Sequence, residues 1–226
     1  MKLGVILVAV LLLLPAVWLW RRGVRRSRQR FLASYRLPKG VMERFRLKHP
    51  ELSEVQEALV LGGLKQYFQI CEAAGKRFVS MPSQVVDDLW HEFILFTRNY
   101  QHFCLRAFGR YLHHTPAEAM ATPSLPSQGI RRAWKQACRL EGIDPKTPAR
   151  LPLLFAIDAQ LSIAEGFVYQ LDCKGVHPAQ GPVYCASHIG CGSGCGSGCG
   201  GSCGDSDGGC DAGDGGGCGS GCGGGD

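Results

Sequence analysis

Val85–Cys104 reads VVDDLWHEFILFTRNYQHFC, and Tyr111–His114, YLHH, follows shortly after. Together they hold four of the chain's seven histidines. Leu89, Phe93, Phe96, Tyr100, Phe103 and Ala107 recur at spacings of three or four, and Trp90, Ile94, Cys104 and Phe108 form the adjacent stripe. That period is helical, and an apolar face this wide marks a helix packed deep in a core. The spacing predicts one helix over about 84–108, with Ser83 as its cap because Pro82 disfavours helix just before it. Gly109 loosens its end.

The flanks read the same way. Ser53 is followed three residues later by Gln56, a capping-box spacing, and Gly75 fits a C-terminal stop, so a helix is predicted over about 53–74. GIRRAWKQACRLEGI, with Ile130, Trp134 and Cys138 on one face, predicts a third. TPAEAMATPSLPSQ is a Pro/Ser-rich loop with at most one short helix, and DPKTPARLP is a proline-punctuated loop. LLFAIDAQLSIAEGFVYQLDC predicts a short helix over about 151–164 and then an extended GFVYQLDC. No β-α-β rhythm is present, so the fold class is mainly α.

The N-terminus is of another kind. Leu3–Trp20 runs 18 residues without a charge, about 27 Å as a helix. Trp18 and Trp20 suit a membrane–water interface, and the end WLWRR does not look like a signal-peptidase site. The expectation is an uncleaved transmembrane helix. Eleven Lys and Arg residues lie between Arg21 and Lys48, with Glu43 the only acid among them. The positive-inside rule then places a single-pass protein in the inner (cytoplasmic) membrane with its C-terminal domain in the cytoplasm. The expected partners are the lipid bilayer through residues 3–20, anionic headgroups along the basic run, and a protein of unknown identity. The net charge of +6 is local to that run, so specific nucleic-acid binding is not expected. The domain plan is an anchor at 1–20, a basic juxtamembrane segment at 21–49, a helical domain at 50–176 and a Gly/Cys-rich tail at 177–226.

In the tail, Cys191, Cys195, Cys199 and Cys203 recur every four residues between Gly and Ser. Nothing there can bury a core, so it is expected to be disordered. Three readings compete: a low-complexity tether, thiolate ligands for zinc or another transition metal, and a disulfide mesh. The last needs an oxidising compartment, against the expected placement.

The histidines carry the remaining chemistry. Asp87 and His91 are four apart and share a helix face about 6 Å apart. Asp88 is also within reach of His91. His102 lies eleven residues beyond His91, about 16 Å along the axis, and cannot share a metal with it. If the chain turns back after Gly109, His113 or His114 can approach Asp87 and His91, giving two imidazoles and one carboxylate, a known metal-ligand set. The bland alternatives are a buried histidine hydrogen-bonded to Asp87 and a groove without metal. HEFIL is not H-E-x-x-H, because position 95 is Leu95, and no nucleophile-and-base arrangement or phosphate loop is present.

Asp87, Trp90, His91, Leu95, Tyr100, Cys104, Gly109, Leu112 and His114 spell VD..WH…L….Y…C….G..L.H. Over roughly residues 50–175 this resembles the glycine-rich domain-containing protein-like family, best known from plants, and its bacterial membrane-anchored relatives. The plant pattern reads W-H-x-H, whereas this chain has Phe93 at the second histidine. The resemblance implies no reaction and leaves catalytic residues unknown. The leading expectation is a membrane-anchored interaction or scaffold protein. The alternative is a metal-binding protein or metal-dependent enzyme using Asp87, His91 and His113 or His114, with the tail buffering metal.

Overall fold

A computed structural model describes residues 2–114, 124–171, 183–186 and 189. The chain is mainly helical. Among the described residues, seven helices come in the order α1 (Lys2–Ser34), α2 (Lys39–Lys48), α3 (Glu54–Ala74), α4 (Gln84–Leu95), α5 (Thr97–Phe108), α6 (Ser124–Leu140) and α7 (Leu153–Gln160). Two short strands, β1 (Val168–Gln170) and β2 (Val183–Cys185), pair in parallel with Tyr169 opposite Tyr184. β1 lies within the segment expected to be extended. The Gly/Cys-rich tail lies outside the described residues except for 183–186 and 189, and with it Cys191, Cys195, Cys199 and Cys203.

The membrane reading is corrected. No helix among the described residues is long and apolar enough to cross a membrane. α1 does not stop where its apolar run stops; it continues past Arg21 to Ser34. The far end of α1 belongs to the protein core. Leu32 is 1% exposed, and the rings of Phe31 and Tyr35 lie 5.9 and 4.7 Å from that of Phe103. The transmembrane helix, the single-pass inner-membrane placement and the cytoplasmic orientation derived from it therefore do not stand.

The basic run has partners within the fold. α2 buries Val41 and Phe45, one turn apart. Its cations reach across to acids far along the chain: Arg44 to Glu92 at 2.5 Å, Arg46 to Glu57 at 2.8 Å and Lys48 to Asp88 at 2.6 Å. Arg25 of α1 lies 3.5 Å from Glu72.

α3 is the central helix, packed on α1, α4, α6 and α7. Its capping box is formed: the Gln56 amide donates to Ser53 Oγ, and the Ser53 amide donates to Gln56 Oε1 at 2.9 Å. Gly75 ends it at φ +65°. Gly63 lets α4 approach closely, since a Cβ there would lie 2.9 Å from Val86 Cγ2. Val86, Leu154 and Ile157 around it are all 0% exposed and have no room to retreat. Gly63→Ala gains about 1 kcal/mol of helix propensity but incurs overpacking of about 1–3 kcal/mol. A net loss of about 1 kcal/mol is expected as a lower urea midpoint with unchanged slope; equal or greater stability would show that the contact is loose.

The predicted helix over 84–108 is two helices. It breaks at Phe96 (φ −82°, ψ 60°), although neither Pro nor Gly is near. The cause is tertiary. The Phe96 ring packs against Gly40 of α2, where a Cβ would lie 2.9 Å from it. The break turns α5 back so that Trp90 Nε1–H donates to Tyr100 Oη at 3.1 Å. Ten residues of straight helix would separate those two by about 15 Å along the axis.

α4 starts at a doubly built cap. Ser83 Oγ accepts from the Val86 amide at 3.2 Å and donates to Asp158 of α7 at 2.6 Å. Asp158 also accepts from the Gln84 and Phe167 amides. This pins the end of α4 that carries Asp87.

Candidate metal centre

Asp87, His91 and His114 come together. Their donor atoms, one from each side chain, all lie within 4.8 Å of one another. His114 Nε2–H donates to Asp87 Oδ1 at 3.0 Å, and His91 Nδ1 lies 3.4 Å from Asp87 Oδ2. Each carboxylate oxygen thus faces one imidazole. The two imidazole rings are 4.3 Å apart between centroids. Ligands about 2.0–2.1 Å from a tetrahedral zinc sit about 3.3 Å apart, so small rotamer changes bring these three onto one ion. Asp87 and His114 are mostly covered, with side chains 18% and 17% exposed, while His91 is 46% exposed. Any ion held here is reached from the His91 side.

Local geometry explains each contribution. Asp87 and His91 share a face of α4 at i and i+4. His114 arrives from the segment after α5. Gly109, in the left-handed conformation at φ +70°, reverses the chain at the end of that helix. The His114 ring then stands edge-on to Trp90, with centroids 4.7 Å apart.

Charge distinguishes Asp87 from its neighbours. Asp88 and Glu92, at i and i+4 on the next face, are met by Lys48 and Arg44 of α2. Asp88 is buried and also contacts His49 Nε2 at 2.9 Å, so it is turned away from His91. Among the described residues, the ion-pair partners of Asp87 are only His91 and His114. A carboxylate facing two imidazoles and no lysine or arginine is suited to a divalent cation.

The other candidates fall elsewhere. His113 is exposed and lies beside the Tyr111 ring at 4.8 Å. His102 is exposed on α5. The buried cysteines are not poised as ligands, because the thiolate is the ligating form. Burial pushes the Cys71 thiol up to about 12 and the Cys138 thiol up to about 11, and it raises that of Cys104.

Two features escape a reading of the sequence. One is the His49–Asp88 pair; its signal was the matching spacing of Arg44/Lys48 and Asp88/Glu92. The other is the support for His114. Tyr100 Oη donates to the Leu112 carbonyl at 2.6 Å, two residues before His114.

The UCP032817-like family model matches residues 27–189 of the 226. The chain belongs to the UCP032817-like family. The glycine-rich domain-containing family named from the W-H pattern is therefore the wrong one; that pattern lies inside the UCP032817-like match. Neither the curated proteins nor the solved structures offer a match. The family match begins in the second half of α1 and includes α2, in keeping with the burial of Leu32, Val41 and Phe45.

Proposed function

We propose that this UCP032817-like protein binds one divalent transition metal, zinc by preference of its ligands, through Asp87, His91 and His114. The observation that carries this is the convergence of the three donors around a carboxylate that, among the described residues, has no lysine or arginine partner. Three protein donors with access from one side is the pattern of open metal sites, which bind water or a small ligand at a fourth position; structural zinc sites are closed by four protein ligands. The metal would act there as a Lewis acid toward that ligand. A second reading also has an observation behind it. The His114–Asp87 bond and the Trp90 contact are complete without an ion, as in an interaction module whose loop is simply pinned to α4.

Metal analysis separates the two. The full chain is purified anaerobically and its accessible thiols are alkylated, so that tail thiolates do not compete. One equivalent of zinc per chain is expected, and none in Asp87→Ala. Alkylated wild-type protein without stoichiometric metal after dialysis would leave the interaction module as the better account.

A further inference from the structure

We propose that Tyr100 is a positioning residue for this metal site: by holding Leu112 it keeps His114 facing Asp87 and so sets the affinity for the ion. The inference rests on the metal reading above. Leu112 is held by a side chain of α5: its carbonyl accepts from Tyr100 Oη at 2.6 Å. The phenol has one proton, and indole Nε1–H can only donate. Tyr100 therefore gives its proton to Leu112 and accepts from Trp90, and the chain of bonds has a single sense.

The chain is dry. Tyr100, Trp90 and Leu112 are 0%, 2% and 8% exposed. It joins the two elements that supply the ligands. Trp90 precedes His91 on α4 and touches the His114 ring, while Leu112 is two residues from His114. Removing the Tyr100 hydroxyl strands the Leu112 carbonyl and the Trp90 N–H together. Buried groups left without partners seek water, and here the movable group is the segment that carries His114. Losing an outer partner of a metal ligand lowers affinity by about 10–100-fold.

The test uses cobalt(II), whose visible absorption reports coordination geometry, titrated into the thiol-alkylated full chain. Tyr100→Phe is expected to raise the Kd about 10–100-fold and to change the band shape. Ile70→Val, a change in the buried core on α3, is the control; it is expected to lower the Tm without moving either readout. Trp90→Phe removes the donor that fixes the sense of the Tyr100 hydroxyl and is expected to raise the Kd by a smaller factor; it decides the matter if Tyr100→Phe yields no folded protein. If wild type binds cobalt and the folded variants match it in Kd and spectrum, Tyr100 is only a core tyrosine and the inference is overturned. If wild type does not bind cobalt, the metal reading itself is overturned, and this inference with it.

Discussion

Asp158→Ala is expected to lower the free energy of unfolding by about 3–5 kcal/mol, the largest stability loss of any single polar substitution proposed for this fold. Asp158 is 2% exposed. Its two oxygens accept from Ser83 Oγ at 2.6 Å, the Gln84 amide at 2.7 Å, the Val85 amide at 3.3 Å and the Phe167 amide at 2.9 Å. Two of these are first-turn amides of α4, which have no partner inside their own helix, and a carboxylate there also meets the favourable end of the helix dipole. Alanine leaves four donors without an acceptor in a site closed to water. Each stranded buried group costs about 1–3 kcal/mol, and the sum is reduced because Ser83 Oγ can rotate and the Phe167 amide can turn outward. Asparagine is expected to be nearly as harmful, since its NH2 would face donors. Ser83→Ala removes the local cap and one of the four donors to Asp158, leaves the three amide donors in place, and should cost about 1–2 kcal/mol. Urea unfolding of the three variants checks the ranking. A loss below about 1 kcal/mol for Asp158→Ala would mean that α4 is held by its apolar face alone.

What could be read in the sequence divides along the range of the interaction concerned. The Ser53–Gln56 box and the Gly75 stop act within a few residues, and the helix they bound is α3 as described. Asp87 and His91 at i and i+4 follow from helical period alone. The break at Phe96 carries no local mark, because it is imposed by packing on Gly40, 56 positions earlier. α2 was hidden for a similar reason. Its basic residues suggest headgroups as long as only the local sequence is considered, whereas two of the acids that meet them, Asp88 and Glu92, lie 40 and 48 positions from Lys48 and Arg44. The apolar run of α1 ends at Trp20, and nothing local to it shows that the helix continues and is packed into the core at Leu32. The choice between His113 and His114 was equally out of reach. It depends on which way Leu112 faces, and Tyr100 on α5 holds its carbonyl.

That choice gives the second large effect. His114→Ala is expected to weaken zinc or cobalt binding by more than about 100-fold, whereas His113→Ala is expected to leave it unchanged. The bound follows from comparison: losing an outer partner already costs about 10–100-fold, and His114 is proposed as one of only three protein donors. With it gone, Asp87 and His91 remain as a two-donor pair on one exposed turn, like many surface pairs that hold no ion at neutral pH. The adjacent histidine cannot replace it. Side chains of neighbouring residues in an extended segment point to opposite sides, and His113 is exposed beside Tyr111 while His114 is mostly covered against Trp90. Stability should change little in either variant, because His113 is exposed and the His114–Asp87 bond is only part-buried. Titration of both variants in the alkylated full chain, with the Tm of each recorded alongside, separates loss of a ligand from loss of fold. Equal binding by His114→Ala and wild type would remove His114 from the site, and the geometry around Asp87 would then be architecture. Equal weakening by both variants would point instead to a segment disturbed as a whole, with no ligand role for either ring.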